Sequence, residues 1–446
     1  MNYIKAWMSA IFACITISFS LNASQDSICP AHDESQTVNR RMHEEAIRDV
    51  HLISAGGKGT ETAPRDSVEA LIRNFYMDQY RQFHDPEAPH FMFMTNDANL
   101  VMGVGGKIFL RGWFDWNGTQ DTPDFYPFNI AIPADPARYK GLGGSMSQTR
   151  VFMTIIGRRK RLGYQAYIEA GFSDRTFMLR QAYLRLNDFL LGYTYSGFMD
   201  LKAMIPTVDA QGPNGQLFKR SIQVQYNHKF ATGWHIGASM ELPSVQITPQ
   251  HEYSEECKSF IPDFSVSGEY CWDDGMSSVR LAALIRTMTY RNLLEDKNRN
   301  VVGWGMQLSG VYNIIRPLTL YYSAAVGHGI GSYQGDLAMS EYDLVADAEH
   351  PGKLTAPLCM GVTAGLQYDF SRRFFACLGF GEAQYYGHKY LNPTDYRYGL
   401  YGSANFFWRI SPRFLAGVEY IIAKRKDFSG ASASSDRIGL LTTFSF

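Results

Sequence analysis

Basic side chains recur in this chain at positions that alternate with apolar residues, and most of them are arginines. A guanidinium group can bind a carboxylate through two parallel hydrogen bonds, so arginines along the wall of a water-filled channel would attract small anions. The predicted inward-facing basic residues are Lys107, Arg111, Arg150, Arg185, Arg280, Arg286, Arg397, Arg409, Arg425 and Arg437. The predicted inward-facing acidic residues are Asp115, Glu169, Glu241, Asp263, Glu269 and Glu419. The larger basic set favours a modest anion preference; the alternative is a set of structural charge pairs with no net selectivity.

The segment Ser196–Gln216, SGFMDLKAMIPTVDAQGPNGQ, combines charges with strong turn chemistry. It carries Asp200, Lys202 and Asp209, and its prolines and glycines can hold it in a compact shape. A loop at membrane depth is tolerated only where it lines a wet cavity or is buried in protein. We therefore predict that this loop enters the channel and forms a constriction, with its two aspartates opposite the arginines. The alternative is an ordinary extracellular loop.

The cysteines give no indication of a metal site. Of the six cysteines, Cys14 lies in the apolar segment at the amino terminus. The others show no CxxC pair and no zinc-ligand spacing, and they are Cys29, Cys257, Cys271, Cys359 and Cys377. An odd, scattered set is also a poor disulfide framework. We predict no metal ligands and no cofactor.

Catalytic groups are equally scattered. His328 and Ser332 are close in sequence, but no nucleophile elbow surrounds them. His388 and Ser403 are isolated, and the glycines of Gly327–Gly331 are not followed by a helix, as a phosphate-binding loop requires. The chain is therefore predicted not to be an enzyme, and an outer-membrane hydrolase remains the weakest alternative.

The charged residues are placed by segments with a period of two. In the segment that begins at Asn99, Val104, Ile108 and Leu110 share one parity, whereas Lys107 and Arg111 share the other. The last stretch, SSDRIGLLTTFSF, shows the same alternation. Because side chains alternate faces along a strand, these segments predict strands with one apolar and one polar face. A closed barrel leaves no free edge, so the last strand is predicted to pair with the strand near Met102–Asp115.

Connections of two lengths separate these segments. The predicted short turns are Lys160–Gly163, Asn187–Asp188, Ala231–Gly233, Asp273–Ser277, Ile315–Pro317, Ser371–Arg373 and Ser411–Arg413. The predicted longer loops are Trp116–Ser147, Ser196–Gln216, Pro243–Phe260, Asn292–Asn300 and Gln334–Ala356, and a short one lies at Ser173–Thr176. This alternation is typical of outer-membrane barrels with both termini in the periplasm, and it gives about 16 strands. Aromatic residues near segment ends fit interfacial girdles, among them Trp113, Trp272, Tyr398 and Trp408.

Composition and the amino terminus define the remaining organisation. The chain has 42 basic and 43 acidic residues, so nothing indicates a nucleic-acid partner. Residues 1–23 resemble a secretory signal peptide, and no later run is apolar enough for a helical span. Residues 24–98 are predicted to be a partly helical periplasmic extension, with a helix over Arg65–Phe83 that acts as a plug or docking element or as a short oligomerising helix. Residues 99–446 are predicted to be the barrel.

Four stretches resemble a known family. They are FYMDQYRQFHDPEAPHFMFMTNDANLVMGVGGKIFLRGWFDW, IPTVDAQGPNGQ, RYGLYGSANFFW and the terminal FSF. They are similar to the DcaP-like outer-membrane porins in the form found in Bacteroidetes, over roughly residues 65–446. The resemblance implies a sixteen-stranded barrel, usually trimeric, that passes small and often anionic solutes such as dicarboxylates. The extension departs from the family because it lacks a long heptad run.

These observations predict an all-β protein, a transmembrane antiparallel β-barrel of about 16 strands with a short helical periplasmic extension. Its predicted place is the bacterial outer membrane. Its predicted function is passive diffusion of small hydrophilic solutes with a modest anion preference. The expected partners are outer-membrane lipid, these solutes and further copies of the chain in a homotrimer. The main alternative is a structural or adhesin barrel with a plugged lumen.

Overall fold

The computed structural model describes residues 51–55, 91–95, 100–120, 122–159, 162–173, 176–249, 252–347, 349–387 and 391–446. All of them lie within one compact unit, Glu44–Phe446. The predicted signal peptide and the predicted helix Arg65–Phe83 lie outside the described residues. In the predicted extension, the described residues His51–Ala55 and Phe91–Thr95 form two short strands that pair in parallel.

Sixteen antiparallel strands of the described residues form one closed barrel, which confirms the predicted fold class. The strands are β1 (Leu100–Trp116), β2 (Lys140–Ser145 and Arg150–Arg159), β3 (Leu162–Ser173), β4 (Thr176–Leu186), β5 (Phe189–Tyr195), β6 (Arg220–Lys229), β7 (Trp234–Glu241), β8 (Asp263–Trp272), β9 (Ser277–Asn292), β10 (Lys297–Ile315), β11 (Leu318–His328), β12 (Leu358–Asp369), β13 (Phe374–Tyr386), β14 (Tyr396–Ser411), β15 (Phe414–Asp427) and β16 (Ser432–Ser445). Each strand pairs with its neighbours in sequence, so the barrel is a simple meander.

The barrel closes between its first and last strands, as predicted. The ladder between β1 and β16 runs from Lys107 opposite Ser445 to Trp116 opposite Asp436. Beyond its end, the Phe446 amide donates to the Gly106 carbonyl at 3.0 Å, and the Gly106 amide donates to the Phe446 carbonyl at 2.8 Å. Phe91–Thr95 continues this edge by pairing antiparallel with β1. The described barrel therefore has no open seam between its termini.

The two faces of the strands differ as their period predicts. On β1, Val104, Ile108 and Leu110 are exposed on the outside, whereas Lys107 and Arg111 are buried on the inside. The outward face carries large exposed apolar side chains all around the barrel, for example Val151, Ile168, Leu191, Ile222, Ile236, Val266, Leu281, Met306, Val326, Leu378, Phe406, Val418 and Leu440. The predicted girdle position of Trp113 is wrong. This indole shares the inward parity of β1 and packs under the Arg437 guanidinium, 5.1 Å from its ring centroid.

The connections differ at the two ends of the barrel. At one end the described turns are short, at residues 187–188, 230–233, 273–276, 316–317, 370–373 and 412–413. At the other end four connections are long, at residues 117–139, 196–219, 242–262 and 329–357. The predicted loop Asn292–Asn300 is shorter than expected, because β9 and β10 stay paired as far as Asn292 and Lys297. We name three of the long connections the first loop (117–139), the fifth loop (196–219) and the eleventh loop (329–357).

These loops contain the remaining short elements. The 3₁₀ helices Pro127–Asn129 and Pro136–Arg138 lie in the first loop, and Gly331–Tyr333 and Leu337–Ser340 lie in the eleventh. A fifth, Asp273–Gly275, joins β8 to β9. A small sheet joins Ile247–Thr248 to the eleventh-loop strands Leu344–Ala346 and Leu354–Thr355, and Ser254–Glu256 pairs with β9. None of the described residues forms a helix that is long and apolar enough to cross a membrane.

Candidate functional site

The fifth loop enters the barrel from β5 and is held at its start by two wall residues. Glu241 on β7 accepts hydrogen bonds from the Ser196 hydroxyl at 2.8 Å and the Gly197 amide at 3.0 Å. The Arg280 guanidinium on β9 donates to the carbonyls of Gly197 at 2.6 Å and Phe198 at 3.1 Å. These bonds satisfy the polar backbone groups that the loop would otherwise bury unpaired.

Two charges of the loop, both predicted from the sequence, then contact neighbouring strands. Asp200 accepts a hydrogen bond from the Ser309 hydroxyl on β10 at 2.7 Å. The Lys202 ammonium pairs with Glu269 on β8 at 2.5 Å. Because these contacts lie on different strands, the loop is fixed along the inner wall.

The far part of the loop reaches the opposite wall. Asn405 on β14 donates to the Pro206 carbonyl at 2.9 Å, and Glu419 on β15 accepts from the Asp209 amide at 2.8 Å. Asp209 itself accepts from the amides of Phe125 at 3.0 Å and Gly212 at 2.9 Å, so it joins the first loop to the fifth. Burial, together with the nearby Asp124 and Glu419 carboxylates, raises the pKa of Asp209 to about 8, although Arg437 opposes this.

Glycine allows the loop backbone to lie directly on the wall. A Cβ atom on Gly215 would lie 2.4 Å from the Val362 carbonyl oxygen and 2.3 Å from that of Glu382. A Cβ atom on Gly361 would lie 2.4 Å from the Gly215 carbonyl oxygen. Other wall glycines that face the loop are Gly365, Gly381, Gly399, Gly417 and Gly439. The glycines at inward positions of β12–β16 could have indicated this docking from the sequence, because they leave room for another backbone. The alternation of apolar and polar residues does not reveal it.

One carboxylate connects all three loops. Asp336 of the eleventh loop accepts from the Phe128 amide of the first loop at 2.9 Å and from the Asn214 side chain of the fifth loop at 3.4 Å. The hydroxyl of Tyr396 on β14 also donates to it. Burial is the main cause that raises the pKa of Asp336 to about 6. Sequence reasoning missed Asp336 because its partners are all distant in the chain.

Four of the predicted inward arginines hold loops. Besides Arg280, Arg286 pairs with Asp263 at 3.3 Å and Asp343 at 3.1 Å. Arg425 donates to the Phe128 carbonyl at 2.6 Å. Arg437 binds Asp115 through two hydrogen bonds of 2.6 and 2.9 Å and donates to three carbonyls of the first loop, those of Gln120, Thr122 and Pro123. These guanidinium groups face the interior, and each of them contacts the protein itself.

A different arrangement occurs on the wall of β1–β4, where Lys107, Arg111 and Arg150 surround one aromatic ring. Their charged groups lie 5.4, 5.3 and 5.2 Å from the Phe109 ring centroid. Arg111 is only 3% exposed, and its three guanidinium nitrogens have no hydrogen-bond partner among the described residues. A buried cation in this condition is costly unless water or an anion reaches it.

The same wall contains an arginine that the parity argument missed. Glu169 on β3 pairs with Arg150 at 3.3 Å and with Arg180 at 2.9 Å. Arg180 belongs to β4, whose register against β3 shifts between Glu169 and Ala170. The extra residue of this bulge turns Arg180 inward beside Gln181, so a strict period of two assigns it to the wrong face. We name Lys107, Arg111, Arg150, Arg180 and Glu169 the basic cluster.

The remaining predicted inward basic residues lie near the rims. Arg185 is half-buried and donates to the Asn187 carbonyl at the short-turn end. Arg409 is half-buried there too, with its guanidinium 4.1 Å from the Phe375 ring centroid. Arg397 is half-buried at a register shift of β14, where Tyr396 is the residue that points into the barrel.

The candidate catalytic pair His328 and Ser332 does not form a dyad. The His328 ring packs near the exposed Trp304, and its Nδ1 lies 2.9 Å from the Ala356 carbonyl. The Ser332 hydroxyl instead accepts from Lys219 at 3.3 Å and Arg286 at 3.2 Å in the interior. His388 lies outside the described residues.

No protein-family model matches the chain, and no curated protein matches it. Its structure is similar to that of the outer membrane channel DcaP of Acinetobacter baumannii, with a TM-score of 0.67 and 21% identity over 78% of this chain and 98% of that chain. OmpT of Vibrio cholerae and Salmonella typhi OmpF in complex with daunomycin each match with a TM-score of 0.49, at 10% and 11% identity, over 78% of this chain and 98% of theirs. The resemblance drawn from the sequence is thus confirmed as a shared fold.

Proposed function

We propose that this protein is an outer-membrane porin, a passive channel for small hydrophilic solutes. The supporting features are the closed barrel, its apolar outer face and its polar inner wall. Such a cylinder satisfies the hydrogen bonds of its strands internally and presents a largely apolar surface to lipid. The similar fold of DcaP, described as an outer membrane channel, agrees with this proposal.

We further propose that the channel prefers anions, and the observation that carries this is the basic cluster. The cluster contains four cations and one carboxylate, and that carboxylate, Glu169, pairs with Arg150 and Arg180. The three guanidinium nitrogens of Arg111 are buried and have no protein acceptor among the described residues, so an anion that reaches them would meet donors that no protein group already occupies. The loop-holding arginines already contact the protein, which leaves the wall of β1–β4 as the selective surface.

The fifth loop is proposed to be the constriction. It crosses the interior and places Asp209 and the neighbouring Asp124 within electrostatic reach of Arg111. Acidic groups opposite basic ones would produce a transverse field that orients charged solutes.

Planar-bilayer recordings across a KCl gradient test the function and its selectivity. We expect a steady open conductance. The reversal potential should have the sign that corresponds to chloride passing more easily than potassium. A cation-selective reversal potential would remove the anion preference and leave the channel proposal in place. Absence of conductance from folded protein would overturn the channel itself.

Deletion of Met204–Gly212 tests the constriction. We expect a larger single-channel conductance, because the deletion removes the contacts with Asn405 and Glu419 that hold the loop across the interior. Glycine substitutions at the exposed turn residues Leu294 and Glu295 are the control, and they should leave conductance unchanged. Unchanged conductance of the deletion variant would place the constriction elsewhere.

A plugged structural barrel is the second candidate, because part of the interior is apolar. Phe198, Met199 and Leu217 of the fifth loop pack with Ile330 and Leu337 of the eleventh loop in one buried cluster. A barrel filled completely in this way would carry no current. The conductance measurement therefore distinguishes the two functions directly.

The membrane setting and assembly belong to the same proposal. We place the barrel in the outer membrane with both termini in the periplasm, and with outer-membrane lipid around its exposed apolar side chains. A homotrimer is expected from the family that the sequence resembles. Mass measurement of the detergent-solubilised protein tests the assembly, and a monomeric mass would contradict it.

A further inference from the structure

Three potential metal ligands meet on the inner wall where β7 and β8 approach the short turns. His235 lies opposite Glu269 in the ladder, and Cys271 lies two residues beyond Glu269 and so on the same face. The His235 Nδ1 atom is 3.2 Å from a Glu269 carboxylate oxygen and 4.0 Å from the Cys271 sulfur. One ligand atom from each of the three residues lies within 4.8 Å of the others. The side chains therefore converge on one point.

The spacing and the chemical types match zinc. Tetrahedral coordination with Zn–N of about 2.0–2.1 Å and Zn–S of about 2.3 Å separates ligand atoms by roughly 3.3–3.6 Å. The histidine and glutamate atoms are already near this separation, and a small shift of the cysteine side chain completes it. A thiolate with an imidazole and one carboxylate favours zinc over magnesium or calcium, which prefer oxygen ligands alone.

The Lys202 ammonium of the fifth loop is next to these ligands. It lies 2.5 Å from a Glu269 carboxylate oxygen and 3.4 Å from the Cys271 sulfur. Two of the three ligands thus already bind a positive charge, and this charge belongs to the loop that crosses the interior.

We propose that His235, Glu269 and Cys271 form a zinc site, and that zinc displaces the Lys202 ammonium from it. On binding, hydrated zinc exchanges water ligands for a His235 nitrogen, a Glu269 oxygen and the Cys271 sulfur, and the Cys271 thiol loses its proton to solvent. The Glu269–Lys202 ion pair breaks, and the Lys202 ammonium moves into solvent. Before zinc binds, the positive charge of Lys202 balances the negative charge of Glu269. After zinc binds and Lys202 has left, the two positive charges of zinc balance the Cys271 thiolate and the Glu269 carboxylate. The half-buried site therefore accumulates no net charge, which burial would penalise. A fourth coordination position remains for water or a solute.

Cobalt titration of the purified, folded full-length barrel tests this site, because thiolate-bound cobalt gives a sulfur-to-metal charge-transfer band. We expect saturation at one equivalent and displacement of the cobalt by zinc. Cys271→Ser should abolish the band, and His235→Ala should weaken zinc binding by roughly 100-fold or more, beyond the ~10–100-fold cost of losing an outer-shell partner. Cys377→Ser, at a buried inward cysteine of β13, is the matched control and should bind as the parent does.

Wild-type protein without the band, or a band retained in Cys271→Ser, would overturn the site. Lys202→Met tests the displacement separately, because it removes the competing cation and leaves the three ligands intact. We expect zinc affinity to rise by roughly tenfold in this variant, within the range for groups beside the ligands. Unchanged or weaker binding would overturn the displacement. Heat-dependent mobility on gels confirms that each variant is folded before titration.

Discussion

The arginines inside this barrel divide into two groups according to what their nitrogens contact. Arg280, Arg286 and Arg437 donate to loop carbonyls or pair with buried carboxylates, so their charges are part of the scaffold. Arg111 lies among other cations and has no protein acceptor among the described residues. The number of inward arginines is therefore a poor measure of the charge that a solute would meet in the proposed channel, because most of these guanidinium groups already bind protein groups.

Arg111→Gln is expected to reduce anion preference. In the proposed channel, removal of one cation from the wall changes the interaction with an anion by about 1 kcal/mol at a high effective dielectric, so we expect a roughly fivefold fall in the anion-to-cation permeability ratio. The reversal potential in a KCl gradient measures it. Arg185→Gln, at the half-exposed rim, is the control and should change the ratio much less. Equal effects of the two substitutions would contradict a special role for Arg111.

Asp336 is expected to make stability depend on acidity. Its folded-state pKa of about 6 lies above the value of about 4 for an unfolded aspartate, so the folded protein holds this proton more tightly. Stability should therefore fall by at most about 3 kcal/mol as pH rises between these two values. Asp336→Asn should flatten this part of the profile, measured as melting temperature against pH. A variant profile as steep as the parent's would show that other groups cause the slope.

At the scale of elements, one buried ion pair adds to the backbone ladder across the seam between β1 and β16. Asp115 and Arg437 form it across the ladder, and Arg437 also holds the first loop. Arg437→Met should lower the free energy of unfolding by roughly 3–5 kcal/mol, because it leaves the Asp115 carboxylate buried without this partner. Urea unfolding in detergent measures the change. The double variant with Asp115→Asn should recover much of the loss, and no recovery would argue against the pair as the cause.

The docking of the fifth loop depends on the absence of a side chain at Gly215. Gly215→Val should push the loop from β12 and β13, since its Cβ would overlap the Val362 and Glu382 carbonyl oxygens. We expect a larger or less steady single-channel conductance from a barrel that is still folded. Gly268→Val is the control, because no atom lies within 4 Å of a Cβ at this position, and its conductance should match that of the parent. If the Gly215 and Gly268 variants conduct alike, close approach of the loop is not what narrows the channel.

The strands were predictable because their pattern is local. Alternation along β1 and β16 already assigns Lys107, Arg111 and Arg437 to the inside, and the structure agrees. The pattern fails where a bulge adds a residue, as at Arg180, because every later side chain then changes face. Loop docking was less predictable, because the bonds of Asp336 join residues from three separate loops.

At the scale of the whole molecule, the sequence predicts the closed barrel, with short turns at one end and long loops at the other. It does not predict which side chains from different strands form clusters. His235, Glu269 and Cys271 show no metal-binding spacing along the chain, since the first is separated from the other two by a strand connection. Only the register of β7 against β8 brings them together. Such a cluster can be found from the sequence only if the pairing of residues between the two strands is already known.

The long-range contacts of the fifth loop also impose an order on assembly. Asp209 is bound by Glu419, which follows it by 210 residues, and the first loop is bound by Arg437 near the carboxy terminus. In a chain made from its amino terminus, the fifth loop therefore exists long before the strands that receive it. Closing such a large span is slow relative to forming local hairpins. Most of the barrel strands must consequently be present before these contacts can form, so we expect docking of the fifth loop to be among the last steps of folding.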